Sequence, residues 1–283
     1  MFDTFKNRLE ITGTLTTVTA FRISAGRSTE PIGSDLPVIK DALGRPLIPG
    51  SSFKGALRSR LESFLRGIDP NLAEDPANYT STTRNNQVKA LKEKHKNNDL
   101  ELTQQLIEIT DDIGSLFGTP WLASKFQVRD LTVQPDAWFG QYQERDGVAI
   151  DRDTETAADG KLYDYQVVPA ATPFDFKAVV ENAHDWELGL LMIGLHQFET
   201  EQIPLGGGRS RGLGVVKLEI DKMRWIDVED HPEFLLEYLK KLVMGDETAY
   251  EDAADYKDEW VQKLIDRLNN NISQSSPTHT AQG

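Results

Sequence analysis

The sequence lacks cysteine and contains no long hydrophobic run. A chain of 283 residues without cysteine forms no disulfide framework, no thiolate-bound zinc or iron–sulfur cluster and no thiol nucleophile. No apolar run approaches the roughly 18–20 residues that span a bilayer, and the first residues show no apolar core of a signal peptide. These absences lead us to expect a cytoplasmic protein with no membrane partner.

Basic residues are also fewer than acidic residues. The chain has 31 Lys and Arg against 45 Asp and Glu, a net charge of −14, which excludes a protein that coats nucleic acid indiscriminately. The charge is unevenly distributed, because residues 1–66 carry ten basic and six acidic side chains whereas residues 227–283 carry five and thirteen. The first quarter of the chain is therefore a basic segment that could contact phosphate, although chance variation in surface charge would give the same count.

Hydrophobic periodicity predicts an α+β fold. Residues 8–17 alternate apolar and polar side chains, which is typical of a half-buried strand. Residues 53–66 place apolar residues at helical spacing after Ser51 and Ser52, either of which could cap the helix. Further along, the pattern predicts strands at 125–133, 174–181 and 215–220 and a helix at 186–198. The order strand–helix–strand, repeated once, predicts a ferredoxin-like, RRM-like palm with helices on one side of the sheet.

Several segments are predicted to extend beyond this palm. Within a domain formed by residues 1–226, a polar helical insertion is expected at about 68–110 and a protruding hairpin at about 134–168. Residues 227–270 form a predicted acidic helical extension, and residues 271–283 are expected to be a disordered tail. The apolar residues of the extension could dock a neighbouring subunit or close the protein's own core.

One polar feature of the predicted basic helix is a candidate for binding an anion. Lys54 and Arg58 lie four residues apart, hence on one face of the predicted helix and close to its N-terminus, where free N–H groups favour phosphate. A solvated helix face is the alternative explanation. The glycine-rich run LGGGRSRG at 205–212 lacks the Lys-Ser/Thr of a P-loop, which argues against nucleotide hydrolysis. The five histidines show no metal-binding or triad-like spacing.

Two runs carry a resemblance to a known family. SDLPVIKDALGRPLIPGSSFKGALRSRLE at 34–62, joined to GGGRSRGLGVVKLE at 206–219, resembles the RAMP superfamily of CRISPR systems, and more narrowly the backbone subunit of type III effector complexes. The resemblance covers about residues 8–66 and 111–220. It implies a palm with a thumb hairpin and a glycine-rich loop. It also implies these partners: a guide RNA (crRNA), a complementary target RNA, other copies or paralogues of the backbone, and the large and small subunits of the complex.

The resemblance implies roles for individual residues. In this family a loop aspartate before the Pro-Val-Ile segment cleaves the target RNA, and Asp35 stands there. It would hold a divalent cation, expected to be Mg²⁺, or help to activate the adjacent ribose 2′-OH. The family's guide-RNA contacts fall on Ser51, Ser52, Lys54, Arg58, Gly207, Gly208, Arg209 and Arg211, with Arg22, Lys40 and Arg45 as further candidates. The thumb would wedge between bases with Val148, Ile150 or Leu162.

Three functions remain open at this stage. The chain could be a guide-RNA-binding backbone subunit that itself cleaves the target RNA. It could be a structural RAMP subunit in which Asp35 is idle and a paralogue cleaves. It could also be a stand-alone ribonuclease that processes precursor guide RNA, but such enzymes usually need a general base such as histidine, and none lies near the basic segment.

Overall fold

The computed structural model describes residues 4–26, 36–147, 163–228 and 231–275, with side chains to residue 272. Within these ranges the chain forms both helices and an antiparallel sheet, so the predicted α+β class is confirmed. In chain order the strands are β1 (Asn7–Thr17), β2 (Leu47–Ile48), β3 (Phe126–Val128), β4 (Leu131–Thr132), β5 (Gln143–Gly147), β6 (Tyr163–Val167), β7 (Pro173–Glu181), β8 (Val216–Asp227) and β9 (Glu251–Asp252).

The helices differ widely in length and in how much of their surface is buried. In chain order they are α1 (Gly50–Ile68), α2 (Pro76–Tyr79), α3 (Thr82–Lys94), α4 (Asp99–Glu108), α5 (Asp112–Phe117), α6 (Asp185–Glu199), α7 (Pro232–Val243) and α8 (Lys257–Ser275). Among the described residues, no helix combines the length and the apolar character that crossing a membrane would require.

The main sheet is antiparallel and has the strand order β3-β7-β1-β8-β9. β1 lies in its centre and pairs with β7 on one side and β8 on the other. Leu9, Ile11 and Leu15 of β1 are fully buried, because side chains two residues apart point to the same face of a strand. The strands predicted at 8–17 and 174–181 are confirmed. The prediction at 125–133 is wrong in one respect, since that stretch forms two short strands separated by two residues that belong to neither.

α1 and α6 pack together against one face of this sheet. The ring of Phe53 on α1 stacks on Phe198 of α6, with centroids 4.3 Å apart, and lies 5.0 Å from the ring of Phe176 on β7. A β-carbon at Gly194 of α6 would lie only 2.6 Å from Leu57 Cδ1. The absence of a side chain at this glycine therefore allows the two helices to approach closely.

The two C-terminal helices have different environments. α8 packs along α6, and its Trp260, Leu264 and Leu268 are buried in the main core. The Trp260 ring meets Trp225 of β8 edge-on, with centroids 5.2 Å apart. α7 buries only Tyr238 among its described side chains. Closing the protein's own core is thus the correct alternative for α8, while α7 leaves Leu236, Leu239 and Leu242 exposed.

The N-terminus of α1 is fixed by a hydrogen bond to Asp130, the residue directly before β4. The Gly50 N–H donates to Asp130 Oδ1 at 2.9 Å, and a β-carbon at Gly50 would lie 2.5 Å from the Val128 carbonyl oxygen. The predicted cap is therefore wrong. The helix begins at Gly50, so Ser51 and Ser52 lie inside its first turn, and a distant carboxylate takes the place of a local side-chain cap.

Lys54 joins the same end of α1 to β3. Its ammonium donates to Ser124 Oγ at 2.5 Å and to the Phe126 carbonyl oxygen at 3.0 Å. Burial, and after it the positive charge of Arg58, lower the pKa of Lys54 to about 8. The side chain thus makes structural hydrogen bonds at neutral pH while its charge is disfavoured by its surroundings.

The contact of α6 with α8 can be tested at Gly189. A β-carbon there would lie 2.1 Å from the Trp260 carbonyl oxygen, so Gly189→Ala must push α8 away. We expect the free energy of unfolding to fall by about 1–3 kcal/mol in urea titrations. Gly55→Ala in α1 is the matched control, because its β-carbon meets nothing within 4 Å. It should stabilise the protein by about 0.5–1 kcal/mol, and equal effects of the two changes would contradict this packing.

The depressed pKa of Lys54 predicts a pH-dependent stability. Between the folded pKa of about 8 and the usual 10.5, the unfolded chain binds more protons than the folded chain. The free energy of unfolding therefore rises with pH in this window. Lys54→Met removes this titration. The difference in the free energy of unfolding, wild type minus Lys54→Met, should therefore increase between pH 8 and the usual lysine pKa, as measured by urea unfolding. A difference that stays constant over this range would show that Lys54 is not desolvated.

Candidate nucleic-acid interface

A groove of about 600 Å³ runs between α1 and the glycine-rich loop that follows α6. The helix contributes Ser52, Ser59 and Arg60 to its lining, and the loop contributes Gly207 and Arg209. The groove thus combines hydroxyl groups, an open stretch of backbone and two guanidinium groups. Such a lining suits the phosphates and riboses of a nucleic-acid strand, which need hydrogen-bond donors and positive charge rather than an apolar pocket.

The α1 wall of the groove consists of small side chains. Ser52, Ala56, Ser59 and Ser63 follow one another at intervals of three or four residues and therefore share a face. Arg60 stands beside them and donates weakly to Gln197 Oε1 at 3.4 Å. Ser59, Arg60 and Ser63 are not among the site residues predicted from the sequence. Their helical spacing from Ser52, opposite the buried apolar face, is the signal that could have identified them.

The glycine-rich loop is pinned to the segment after β1. Gly206 has φ +77°, and a β-carbon there would lie 2.1 Å from the Arg22 carbonyl oxygen, so only glycine fits. The Gly207 N–H donates to the same oxygen at 2.9 Å. This amide is therefore used inside the protein. The Cα of Gly207 faces open space in the groove, and Gly208 (φ +77°) begins the turn that follows.

Arg209 and Arg211 occupy a single exposed turn after these glycines, and they point in different directions. Arg209 lines the groove and its Nε donates to the Gly206 carbonyl oxygen at 3.2 Å. Arg211 donates to the Tyr163 hydroxyl on β6 at 3.0 Å, a bond that raises the pKa of the arginine. The loop thus presents one cation to the groove and one to the hairpin strand.

Lys54 and Arg58 do not form the expected phosphate cradle. Arg58 donates to Glu62 Oε1 at 2.8 Å, to the Gly118 carbonyl oxygen at 3.0 Å and to the Tyr79 hydroxyl at 3.1 Å. The two cations do share a helix face, but that face packs against β3 and the segment around α5. The structure corrects the geometry inferred from the sequence, because both side chains already have hydrogen-bond partners within the protein.

The remaining predicted contacts lie outside the groove's lining within the described residues. Ser51 is exposed on the first turn of α1. The Arg22 guanidinium lies over the Tyr165 ring at 5.0 Å, and its buried Nε has no hydrogen-bond partner among the described residues. Lys40 and Arg45 flank a turn between the end of the Asp35 segment and β2. Arg45 forms an ion pair with Asp41 at 2.8 Å, and hydrogen bonds from that turn lower the pKa of Asp41.

Asp35, Val148, Ile150 and Leu162 lie outside the described residues. The chain on either side of Asp35 is described. The Ala25 N–H donates to the Pro37 carbonyl oxygen at 3.0 Å, and Leu36 bonds to the main chain of β6. Ser24 lines the groove and Leu36 pairs with Tyr165 of β6, so described residues on either side of this segment lie beside the groove and beside β6. Within the four described stretches, no three acidic or histidine side chains gather as a metal site.

Comparison with known proteins agrees with the resemblance. A protein named CRISPR system Cms endoribonuclease Csm3 from Enterococcus italicus is 25% identical over 222 residues, covering 77% of this chain and 92% of that protein. Its namesake from Methanocaldococcus jannaschii is 28% identical over 233 residues, covering 78% and 82%. The Mycobacterium tuberculosis protein of that name is 50% identical over 56 residues, covering 19% and 24%. The model of the RAMP superfamily matches residues 14–217, and this chain belongs to that family.

Proposed function

We propose that this chain is a guide-RNA-binding backbone subunit of a type III CRISPR complex. The observation that carries the proposal is the groove between α1 and the glycine-rich loop, which holds Arg60, Arg209 and a row of serine hydroxyls. The similarity to proteins named Csm3 over most of their length supports the same assignment. The partners would be guide RNA, complementary target RNA, further backbone copies or paralogues, and the large and small subunits.

The proposed domain organisation follows from the order of the elements. β1, α1, β3, β7, α6 and β8 give the β-α-β-β-α-β order of a ferredoxin-like palm, and four of these strands are neighbours in the sheet. We propose that β5 and β6, which pair from Gln143↔Val167 to Gly147↔Tyr163, are the stem of the thumb. α2–α4 would be the insertion into this palm. α7 and α8 would be the extension that follows it.

Contacts in the groove would be made to the RNA backbone. The described lining offers hydroxyl and guanidinium donors rather than a crevice shaped for a base edge, so sequence specificity would come from pairing between guide and target. Two arginines, the exposed Arg209 and the half-buried Arg60, suffice for this role in an acidic protein, because phosphate attraction acts mainly within a Debye length of roughly 8 Å. The acidic remainder of the surface would limit binding elsewhere.

Target cleavage would need no nucleophile from the protein. The ribose 2′-oxygen attacks the adjacent phosphorus and the 5′-oxygen of the next nucleotide leaves, giving a 2′,3′-cyclic phosphate and a free 5′-hydroxyl. Asp35 would assist the loss of the 2′-OH proton or hold a divalent cation, expected to be Mg²⁺, which would offset the growing negative charge. This role comes from the position of Asp35 before the Pro-Val-Ile segment.

Two alternatives remain distinct from this proposal. In a structural subunit Asp35 is idle and a paralogue cleaves. In a precursor-processing ribonuclease a histidine would act as the base, but no histidine lines the groove among the described residues. His95 is buried in the insertion and His184 caps α6, where burial lowers its pKa.

The groove assignment predicts a change in salt dependence. Arg60→Gln combined with Arg209→Gln should weaken guide-RNA binding and make the slope of log affinity against log salt shallower by about 1.4, because each phosphate contact on single-stranded RNA contributes about 0.7. Fluorescence anisotropy at several salt concentrations measures this slope.

Two controls accompany that measurement. Lys263→Gln removes one exposed charge on α8 and should leave the affinity unchanged. Arg58→Gln should lower the free energy of unfolding without altering the slope, since Arg58 bonds within the protein. A wild-type slope in the double variant would argue against the groove as the RNA site.

The catalytic proposal is tested with Asp35→Asn in a complex reconstituted with guide RNA, complementary RNA and Mg²⁺. We expect cleavage to be lost while target binding persists, because the amide can neither accept the proton nor bind the cation as a carboxylate does. Gel analysis of product ends and filter binding measure the two properties. Unchanged cleavage would favour the structural alternative, and cleavage of precursor RNA by the isolated chain would favour the processing alternative.

A further inference from the structure

Two neighbouring turns display large apolar side chains to solvent. Leu43 is 76% exposed and Phe139 is 84% exposed. Leu43 lies in the turn between the Asp35 segment and β2, and Phe139 lies in the turn between β4 and β5. A phenylalanine this exposed loses the free energy that burial of its ring would contribute, so its position invites a functional explanation.

The first turn is rigidly built. Asp41 Oδ1 accepts hydrogen bonds from the N–H groups of Leu43 and Arg45, both at 2.9 Å, while Oδ2 accepts from Arg45 Nε at 2.8 Å. Gly44 adopts φ +74°, which closes the turn. These bonds hold Leu43 outward.

The second turn is tied to the first. The Phe139 N–H donates to Gln141 Oε1 at 2.9 Å, and Gly140 has φ +92°. The rings of Trp138 and Tyr142 pack edge-on, with centroids 4.7 Å apart, so they support the turn while Phe139 stays outside. The Tyr142 hydroxyl donates to the Gly44 carbonyl oxygen at 2.8 Å, which joins the two turns.

A cation completes this surface, and the chain connects it to the groove. Lys40 Nζ lies 4.4 Å from the centroid of the Tyr142 ring. The residue before it, Ile39, donates its N–H to the carbonyl oxygen of Ile23, a residue that lines the groove, at 2.9 Å. A strand leaving the groove along this segment would reach the two turns.

We propose that Phe139, together with Leu43 and Lys40, binds an unpaired nucleobase of RNA held in the groove. The base would stack on the phenyl ring and Lys40 would contact the adjoining phosphate, a combination typical of single-stranded nucleic-acid sites. Two side chains offer far less than the roughly 1,000 Å² that a specific protein interface needs, which favours a base over a protein partner. The inference rests on the proposed RNA-binding function.

The test uses the full chain and a single-stranded RNA that carries one 2-aminopurine, placed at successive positions. Phe139→Ala should weaken binding about 10- to 100-fold, because stacking on one aromatic side chain contributes on that scale. It should also relieve the quenching of one fluorophore position and leave the salt slope unchanged, since no charge is removed. Phe139→Trp should restore both affinity and quenching. Leu236→Ala on α7 is the matched control, an exposed apolar residue on another element.

The outcomes separate the two proposals. If the wild-type chain binds no RNA, the proposed function fails. If the wild type binds and Phe139→Ala has the same affinity and quenching, the nucleobase site is overturned while the groove stands. If Phe139→Ala changes only the oligomeric state measured by light scattering, the surface is a protein contact and the proposal is also overturned.

Discussion

The seating of α1 on the sheet is the constraint on which the functional surface depends. Phe53 and Leu57 fix one side of the helix against β7 and α6, and Lys54 and Gly50 fix its N-terminus against β3 and Asp130. These contacts set the orientation of the helix about its own axis. The serine-lined face therefore points toward the glycine-rich loop. It remains open as one wall of the groove because the apolar face and the hydrogen-bonded face of the same helix pack against the rest of the protein.

Close approach of backbones positions the opposite wall. Gly206 contacts the Arg22 carbonyl oxygen at a distance that no β-carbon would allow, and this contact brings the loop carrying Arg209 to the edge of α1. A similar approach at Gly189 lets α8 lie along α6 and cover the core there. Glycine at these two positions matters because the missing side chain lets two backbones come into contact, and the number of glycines in the sequence does not reveal this role.

The positive charge that this protein can offer to a ligand depends on ion pairing within the fold as well as on the number of basic residues. The first 66 residues have an excess of basic side chains, but Arg58 pairs with Glu62 and Arg45 with Asp41. Such pairs are internal to the fold and present little net charge to a ligand. Fewer cations face the groove than the number of basic residues suggests. Arg60 is one of them, and it lies on the same helix as Lys54 and Arg58.

The sequence by itself determined the fold class, the central strand, the long helices and the family, because periodicity and the runs at 34–62 and 206–219 are local properties of the chain. It also identified the glycine-rich run at 205–212, which the resemblance grouped with the basic helix as a guide-RNA contact. Only the tertiary structure decided which face of α1 is open. Spacing shows that Lys54 and Arg58 share a face, but the acceptors that draw them inward, on Ser124, Phe126 and Gly118, come from residues at least 60 positions away. The fate of the C-terminal helices was decided in the same way, since a helix with an apolar stripe buries it only where a complementary surface, here α6, comes within reach.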